Sequence, residues 1–310
     1  MPSITPPANR RRACPVRPLA TTVSASVQQH IGEVFELWDE LDDFAKNETD
    51  AALFHCLKRI CGWLDAQDGF WTGIVHIMAN ASRNKVDADA LSGWRVRALR
   101  PMHLPDESSR VIKKILKGSD ADPGATSVAL AATAGRFRAY TLQSGCLVDV
   151  DAFRQTDHYD FYYRSRDIRD RIWIASPVNV DTESIFCFDR MGDKPPFDET
   201  HLELAAFALR GIKWFHRQLM LSHGLGLCDE PLTTAERRVI QGLLSGAAER
   251  EIAEAMKLSP GTVHQYATRV YQKFAVRGRV EFTALWLSGT PGVKPADTAH
   301  GTTDAPDPVE

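Results

Sequence analysis

Within Leu232–Leu287 apolar residues recur at helical spacing in three short stripes, the first and third opened by capping residues. A segment patterned this way folds as a bundle of short helices. The first starts at Thr233-Thr234-Ala235-Glu236, a capping box in which Thr233 accepts from the amide of Glu236 and Glu236 reaches back. Val239, Ile240, Leu243 and Leu244 form its buried face, and Gly246 stops it. A second helix over Glu249–Met256 turns Ile252, Ala253 and Met256 inward. Ser259 and Pro260 open the third as N-cap and first helical residue. There Val263, Ala267, Val270, Tyr271 and Phe274 face the other helices, leaving His264, Gln265, Thr268, Arg269 and Gln272 on the opposite side.

That opposite face is polar and hydrogen-bonding, and His264, Gln265 and Thr268 lie near the start of the helix. The N-terminal part of a recognition helix enters the major groove, where such side chains meet base edges. Thr262 and the free amides of the first turn are placed for phosphate, helped by the helix dipole. Lys273, Arg277 and Arg279 follow, placed to neutralise backbone charge. The expected DNA-facing set is Thr262, Val263, His264, Gln265, Thr268, Arg269, Lys273, Arg277 and Arg279. Charge agrees. Residues 232–288 hold eight Lys/Arg against five Glu, a net +3, so the rest of the chain carries −6 of the total −3. A basic segment on an acidic body suits phosphate binding.

Leu232-Thr233, Glu236, Val239, Gly246, Glu251-Ile252-Ala253, Leu258-Ser259, Thr262-Val263, Tyr271, Lys273, Val276 and Arg279 follow the order and spacing of the LuxR/GerE helix-turn-helix domain, which the segment resembles. The resemblance implies a one-component transcription regulator binding double-stranded DNA as a homodimer, with RNA polymerase among its partners. It also implies dimer contacts from a fourth helix, here Val280–Leu287, through Phe282, Leu285 and Trp286. Two positions depart from the family. His264 and Tyr266 stand where a basic residue and then His are common, so base preference does not carry over. Ala248 replaces the usual Ser or Thr cap of the second helix, a loss of about 1 kcal/mol.

The front of the chain reads as an α+β domain on one antiparallel sheet. Ile31, Val34, Phe35, Trp38, Leu41 and Phe44 stripe a first helix. Leu53, Phe54, Leu57, Ile60, Cys61 and Leu64 stripe a second, begun near Thr49-Asp50. Strands are expected over Phe70–Met78, Gly93–Leu99, Phe137–Leu142, Leu147–Val150, Arg171–Val178 and Glu183–Phe188, with a short helix over Glu107–Leu116. Asp157–Arg166 reads as helix or loop. Asp198 then caps one long helix to about Ser222. Its Leu202, Leu209, Ile212 and Leu219 space like a coiled-coil seam, a candidate dimer contact. This layout resembles GAF and PAS sensor domains, through Arg171–Pro177, Phe186–Asp189 and Pro196–Glu199. The expected organisation is a disordered arm over 1–22, a sensor domain over 23–197, a linker helix over 198–224, a linker over 225–231, the helix-turn-helix over 232–288 and a disordered tail over 289–310.

Three readings of the front domain compete. A small-molecule pocket would use Trp71, His76, Trp94, Tyr140, Trp173 and Phe188, although strand aromatics more often fill a core. A redox switch would use Cys56 and Cys61, but on one helix their side chains point about 140° apart. An enzyme or metal site would use Asp149, Asp151, Asp157, His158 and Asp160, a set that reads more simply as a solvated acidic loop. No Gly-rich phosphate loop, nucleophile elbow or zinc spacing is present, so no cofactor or metal is expected. The front fits neither a response-regulator receiver, which would begin with a strand ending in paired acids, nor an acyl-homoserine-lactone domain, whose Trp, Tyr and Asp pocket set is not reproduced. The six scattered cysteines, without C-x-x-C, fit a reducing cytoplasm. No apolar run is long enough to span a bilayer. The readings of another class are an interaction module that does not read DNA, and an enzyme fused to a DNA-binding domain.

Overall fold

The structure is a computed structural model that describes residues 24–76, 93–103, 125–225 and 232–288. The helix expected over 107–116, both termini, residues 77–78 and the linker over 226–231 lie outside these residues.

Two helices open the N-terminal domain. Helix α1 (Ala25–Asp43) is capped by Ser24, whose hydroxyl accepts from the amide of Val27. Its buried line runs through Val27, Val34, Leu37 and Leu41, while Phe35 is 48% exposed, so the expected stripe was rotated. Helix α2 (Thr49–Leu64) buries Leu53, Leu57, Ile60, Cys61 and Leu64 as anticipated. Its last turn ends in left-handed Asp65, whose amide returns to the carbonyls of Cys61 and Gly62.

Strands β1 (Asp68–His76), β2 (Trp94–Pro101), β3 (Arg138–Thr141), β4 (Ile168–Asn179) and β5 (Thr182–Met191) form one antiparallel sheet in the order β2-β1-β5-β4-β3. The run 147–150 is not a strand. Asp149 there caps α4 (Val150–Phe153) by accepting from the amides of Asp151 and Ala152. Before it, α3 (Thr126–Ala132) occupies part of the small-residue stretch. After it, α5 (Asp157–Tyr162) is capped by Thr156 and runs into a 3-10 turn over Arg164–Arg166.

Strand side chains alternate between faces. Trp71, Ile172, Ile174, Phe186 and Phe188 point to one side, where α1, α2 and two later helices bury them. Ile74, Trp173, Ala175, Ile185 and Cys187 point to the other, under α3 to α5.

The long helix expected from Asp198 is two helices, α6 (Glu199–Arg210) and α7 (Lys213–Ser222). The break has a packing cause. A Cβ on Gly211 would stand 2.3 Å from the indole of Trp38, which itself donates to the carbonyl of Ala208 over 2.8 Å. Leu209, Ile212 and Leu219 are fully buried against the sheet and Leu202 packs on the same core, so the seam expected of them is an internal one.

The C-terminal domain is helical: α8 (Thr234–Leu244), α9 (Glu249–Met256), α10 (Pro260–Lys273) and α11 (Arg279–Ser288). Close approach of α8 and α9 requires Gly242, where a Cβ would sit 2.5 Å from Ile252. Phe282, Leu285 and Trp286, expected at a dimer interface, are buried within the chain beside Leu221, Ile240, Val270 and Phe274.

Candidate nucleic-acid interface and ligand cavity

The third helix of the C-terminal domain is built as its sequence predicts. Ser259 caps α10, its hydroxyl accepting from the amide of Thr262 at 3.1 Å, and Pro260 takes the first position. Val263, Ala267 and Val270 are buried, which leaves His264, Gln265, Thr268 and Arg269 exposed on one face. Arg269 lies over the ring of Tyr266, 5.8 Å from its centroid, and His264 is 3.1 Å from the Glu249 carboxylate.

The other expected DNA contacts are distributed differently. Val263 is a core residue and presents no surface. Lys273 donates to Glu236 over 2.8 Å, and Thr233 exchanges both capping-box bonds with the same residue. Against the upward push of burial, Lys273 and Thr233 hold the Glu236 carboxyl below its ordinary range. Arg279 donates to the carbonyls of Leu243 and Ala247, closing the end of α8. Arg277 is exposed and 3.7 Å from Glu281. At Ala248 only half of a capping box survives, the amide of Ala248 donating to Glu251 over 2.7 Å.

The second site is a cavity of about 290 Å³ on the α3–α5 side of the sheet. Of the six residues expected to line a pocket, Trp94 and Trp173 do so. Trp71 and Phe188 belong to the opposite face. Tyr140 packs beside the cavity core without lining it, and His76 sits at the strand end, 3.3 Å from Asp181. The residues that sequence reasoning missed include Phe70, Thr126, Leu130, Phe161, Arg166, Arg171 and Ile185. A usable signal existed: Arg171 and Trp173 alternate with Ile172 and Ile174, which assigns the arginine to the face of Trp173.

Arg171 is the organising charge. It is paired bidentately with Asp189, its neighbour across the strand pair, with one N–O distance of 2.8 Å. Its Nη1 donates to the Tyr163 hydroxyl over 3.0 Å, and that hydroxyl lies 3.2 Å from Thr126 Oγ1. Burial alone would lower the Arg171 pKa, but Asp189 raises it well above its usual range. Burial pushes the Tyr163 phenol up to about 12. Arg166 pairs with Asp68, beside Asp189, and lies 3.8 Å from Asp189 itself.

The other two readings of this domain find little support. Cys56, Cys61 and Cys187 are free and buried, and burial raises each thiol pKa, that of Cys61 to about 12. Protonated thiols are poor nucleophiles. Cys146 is disulfide-bonded, which departs from the reducing surroundings that the scattered cysteines suggest. Among the described residues no cluster of three or more His, Cys, Asp or Glu could hold a metal. Asp149 caps a helix, and Asp157 and Asp160 lie in the first turn of α5.

Residues 230–286 match the family described as bacterial regulatory proteins, luxR family, so the C-terminal domain is a LuxR-type helix-turn-helix. Over 69 residues the chain is 41% identical to the probable HTH-type transcriptional regulator GfsR of Streptomyces halstedii, covering 22% of this chain and 27% of that one. Over 61 residues it is 38% identical to the transcriptional regulatory protein UhpA of Escherichia coli (strain K12), covering 20% of this chain and 31% of that one. This chain thus spans less than a third of the length of either relative. Escherichia coli SdiA superposes with a TM-score of 0.42 at 13% identity, over 84% of this chain and 97% of that one. The VqsR LBD domain from Pseudomonas aeruginosa gives 0.40 at 10% identity, over 64% of this chain and 98% of that domain. Among the described residues no helix is long and apolar enough to cross a membrane.

Proposed function

We propose that the protein is a one-component transcription regulator, in which α10 reads double-stranded DNA and the cavity over the sheet receives a small-molecule signal. The exposed quartet His264, Gln265, Thr268 and Arg269 at the start and middle of α10 carries this reading. It stands on a helix whose opposite side is locked into the core, so His264, Gln265 and Thr268 are held at fixed spacing for base edges and Arg269 beside them for phosphate. Homodimerisation belongs to the same reading. It has to use surface other than Phe282, Leu285 and Trp286, and among the described side chains of α11 the exposed apolar ones are Val280 and Ala284.

The test is selection of duplexes from a random pool by the full-length protein, followed by titration over a salt series. A selected sequence and a linear fall of log affinity with log salt are expected. An affinity that ignores salt, or no enrichment of any sequence, would overturn DNA reading. Light scattering of the complex gives the number of protomers bound.

A further inference from the structure

The chemistry of the cavity wall goes beyond the general expectation of a small-molecule signal and rests on the reading of this cavity as the signal site. Register places its residues in layers. Asp68, Asp189 and Arg171 are adjacent at one end of the sheet, Phe70, Cys187 and Trp173 form the next layer, and Thr72, Ile185 and Ala175 the one after. Ile74 and Val96, paired on β1 and β2, close the far end. At about 3.4 Å per residue, the six steps from Asp68 to Ile74 span roughly 20 Å. One end holds Arg166 and Arg171; the rest is mostly apolar, with Thr72 midway and Arg95 beside Val96 at the far end, where it donates to the Trp94 carbonyl over 2.7 Å.

At the charged end the signs are sorted by depth. Arg166 and Arg171 line the cavity, whereas their carboxylate partners Asp68 and Asp189 do not. Among the described lining residues there is no Asp or Glu. The acids sit behind the arginines and fix their guanidinium planes. Three of the five N–H donors of Arg171 go to Asp189 and Tyr163, which leaves two uncommitted among the described residues. The wall therefore offers pre-positioned cationic donors and no carboxylate to repel an anion or to accept from a ligand amine. A rigid guanidinium fork suits a carboxylate better than any other small head group built from carbon, hydrogen and oxygen.

We propose that the ligand is an apolar carboxylic acid, bound as its carboxylate by Arg166 and Arg171, with its hydrocarbon body along Trp173, Ile185 and Ile74.

The experiment is calorimetric titration of the full-length protein at neutral pH with nonanoate, nonanamide, nonanol and an N-acyl homoserine lactone of matched chain length. Nonanoate should bind at least about ten-fold more tightly than the amide or the alcohol, a gap of about 1.4 kcal/mol. Arg166→Gln should erase that gap and leave amide binding unchanged, since Arg166 is partly exposed and the buried Arg171–Asp189 pair stays intact. Thermal melting of the variant verifies that it folds. If the amide, the alcohol or the lactone binds as tightly as the acid, the carboxylate head is wrong while the cavity remains the signal site. If none of the four binds at millimolar concentration, this proposal falls, and the DNA titration decides separately on the regulator. If Arg166→Gln weakens all four equally, Arg166 shapes the cavity and does not read the head group, which also overturns the assignment.

Discussion

Arg237 of the C-terminal domain donates to His223 Nε2 at the end of α7, over 3.0 Å, and so joins the two domains through one imidazole. The other ring nitrogen, Nδ1, lies 2.9 Å from the carbonyl of Leu219, so His223 is neutral with Nδ1 protonated. The same ring packs against Trp71, centroids 4.8 Å apart, on the helix side of the sheet. Asp50 of α2 stands 3.9 Å from Arg237.

Replacing Arg237 by Ala should therefore loosen the junction without unfolding either domain. The expected cost is about 1–3 kcal/mol, the range for a lost hydrogen bond that leaves a buried acceptor unsatisfied. Hydrogen exchange read over 219–225 should rise in the variant while exchange in β4 and β5 stays unchanged.

Acid should weaken the fold through two buried imidazoles. His216 accepts from the Ser184 hydroxyl at Nδ1 and donates from Nε2 to the carbonyl of Leu209, and the Ser184 oxygen also accepts from the Trp71 indole. Burial lowers the His216 pKa to about 4, and burial with Arg237 lowers that of His223 to about 3. Both folded values lie below the unfolded one of about 6.5, so the unfolded chain binds more protons below that pH. Stability from these groups is complete above about pH 6.5 and is lost as pH falls towards the folded values. For His216 the shift corresponds to about 3 kcal/mol. Urea melts across this range should show the decline, and His216→Gln should flatten part of it.

On the DNA surface, two kinds of contact should separate. Gln265→Ala should cost about 1–3 kcal/mol on a selected duplex and little on random DNA. Arg269→Ala should weaken both alike and lower the salt slope by about one unit. Anisotropy titrations on the two duplexes at several salt concentrations distinguish these outcomes.

The break between α6 and α7 should be intolerant of growth. Gly211→Ala drives a methyl into the Trp38 indole, and overpacking of this kind costs about 1–3 kcal/mol. Thermal melting reads this, and pairing the change with Trp38→Leu should restore much of the loss.

Much of this was legible in the sequence where the signal is local. The capping box at Thr233, the start at Ser259-Pro260 and the polar face of α10 follow from spacing along one helix, and the structure places all three as expected. The phase of α1 differs from its expected stripe because Phe35 and Leu37 are both strongly apolar, and only the partners of the helix decide which is buried. The continuity of 198–222 failed for a similar reason, since the interruption is caused by Trp38, far away in the chain. The cavity was hardest. Its wall mixes arginines, threonines and rings from elements distant in sequence, and aromatic residues on both faces of a strand look alike until the register is known.

Strand alternation has a further consequence. The cavity takes Phe70, Thr72 and Ile74 from β1 and Arg171 and Trp173 from β4, while the interleaved Trp71, Ile172 and Ile174 hold the helices. The lining of the cavity and the packing of the helices are thus written on alternate letters of the same strands. Descendants of this chain can change the first text, one odd or even position at a time, and leave the second unread.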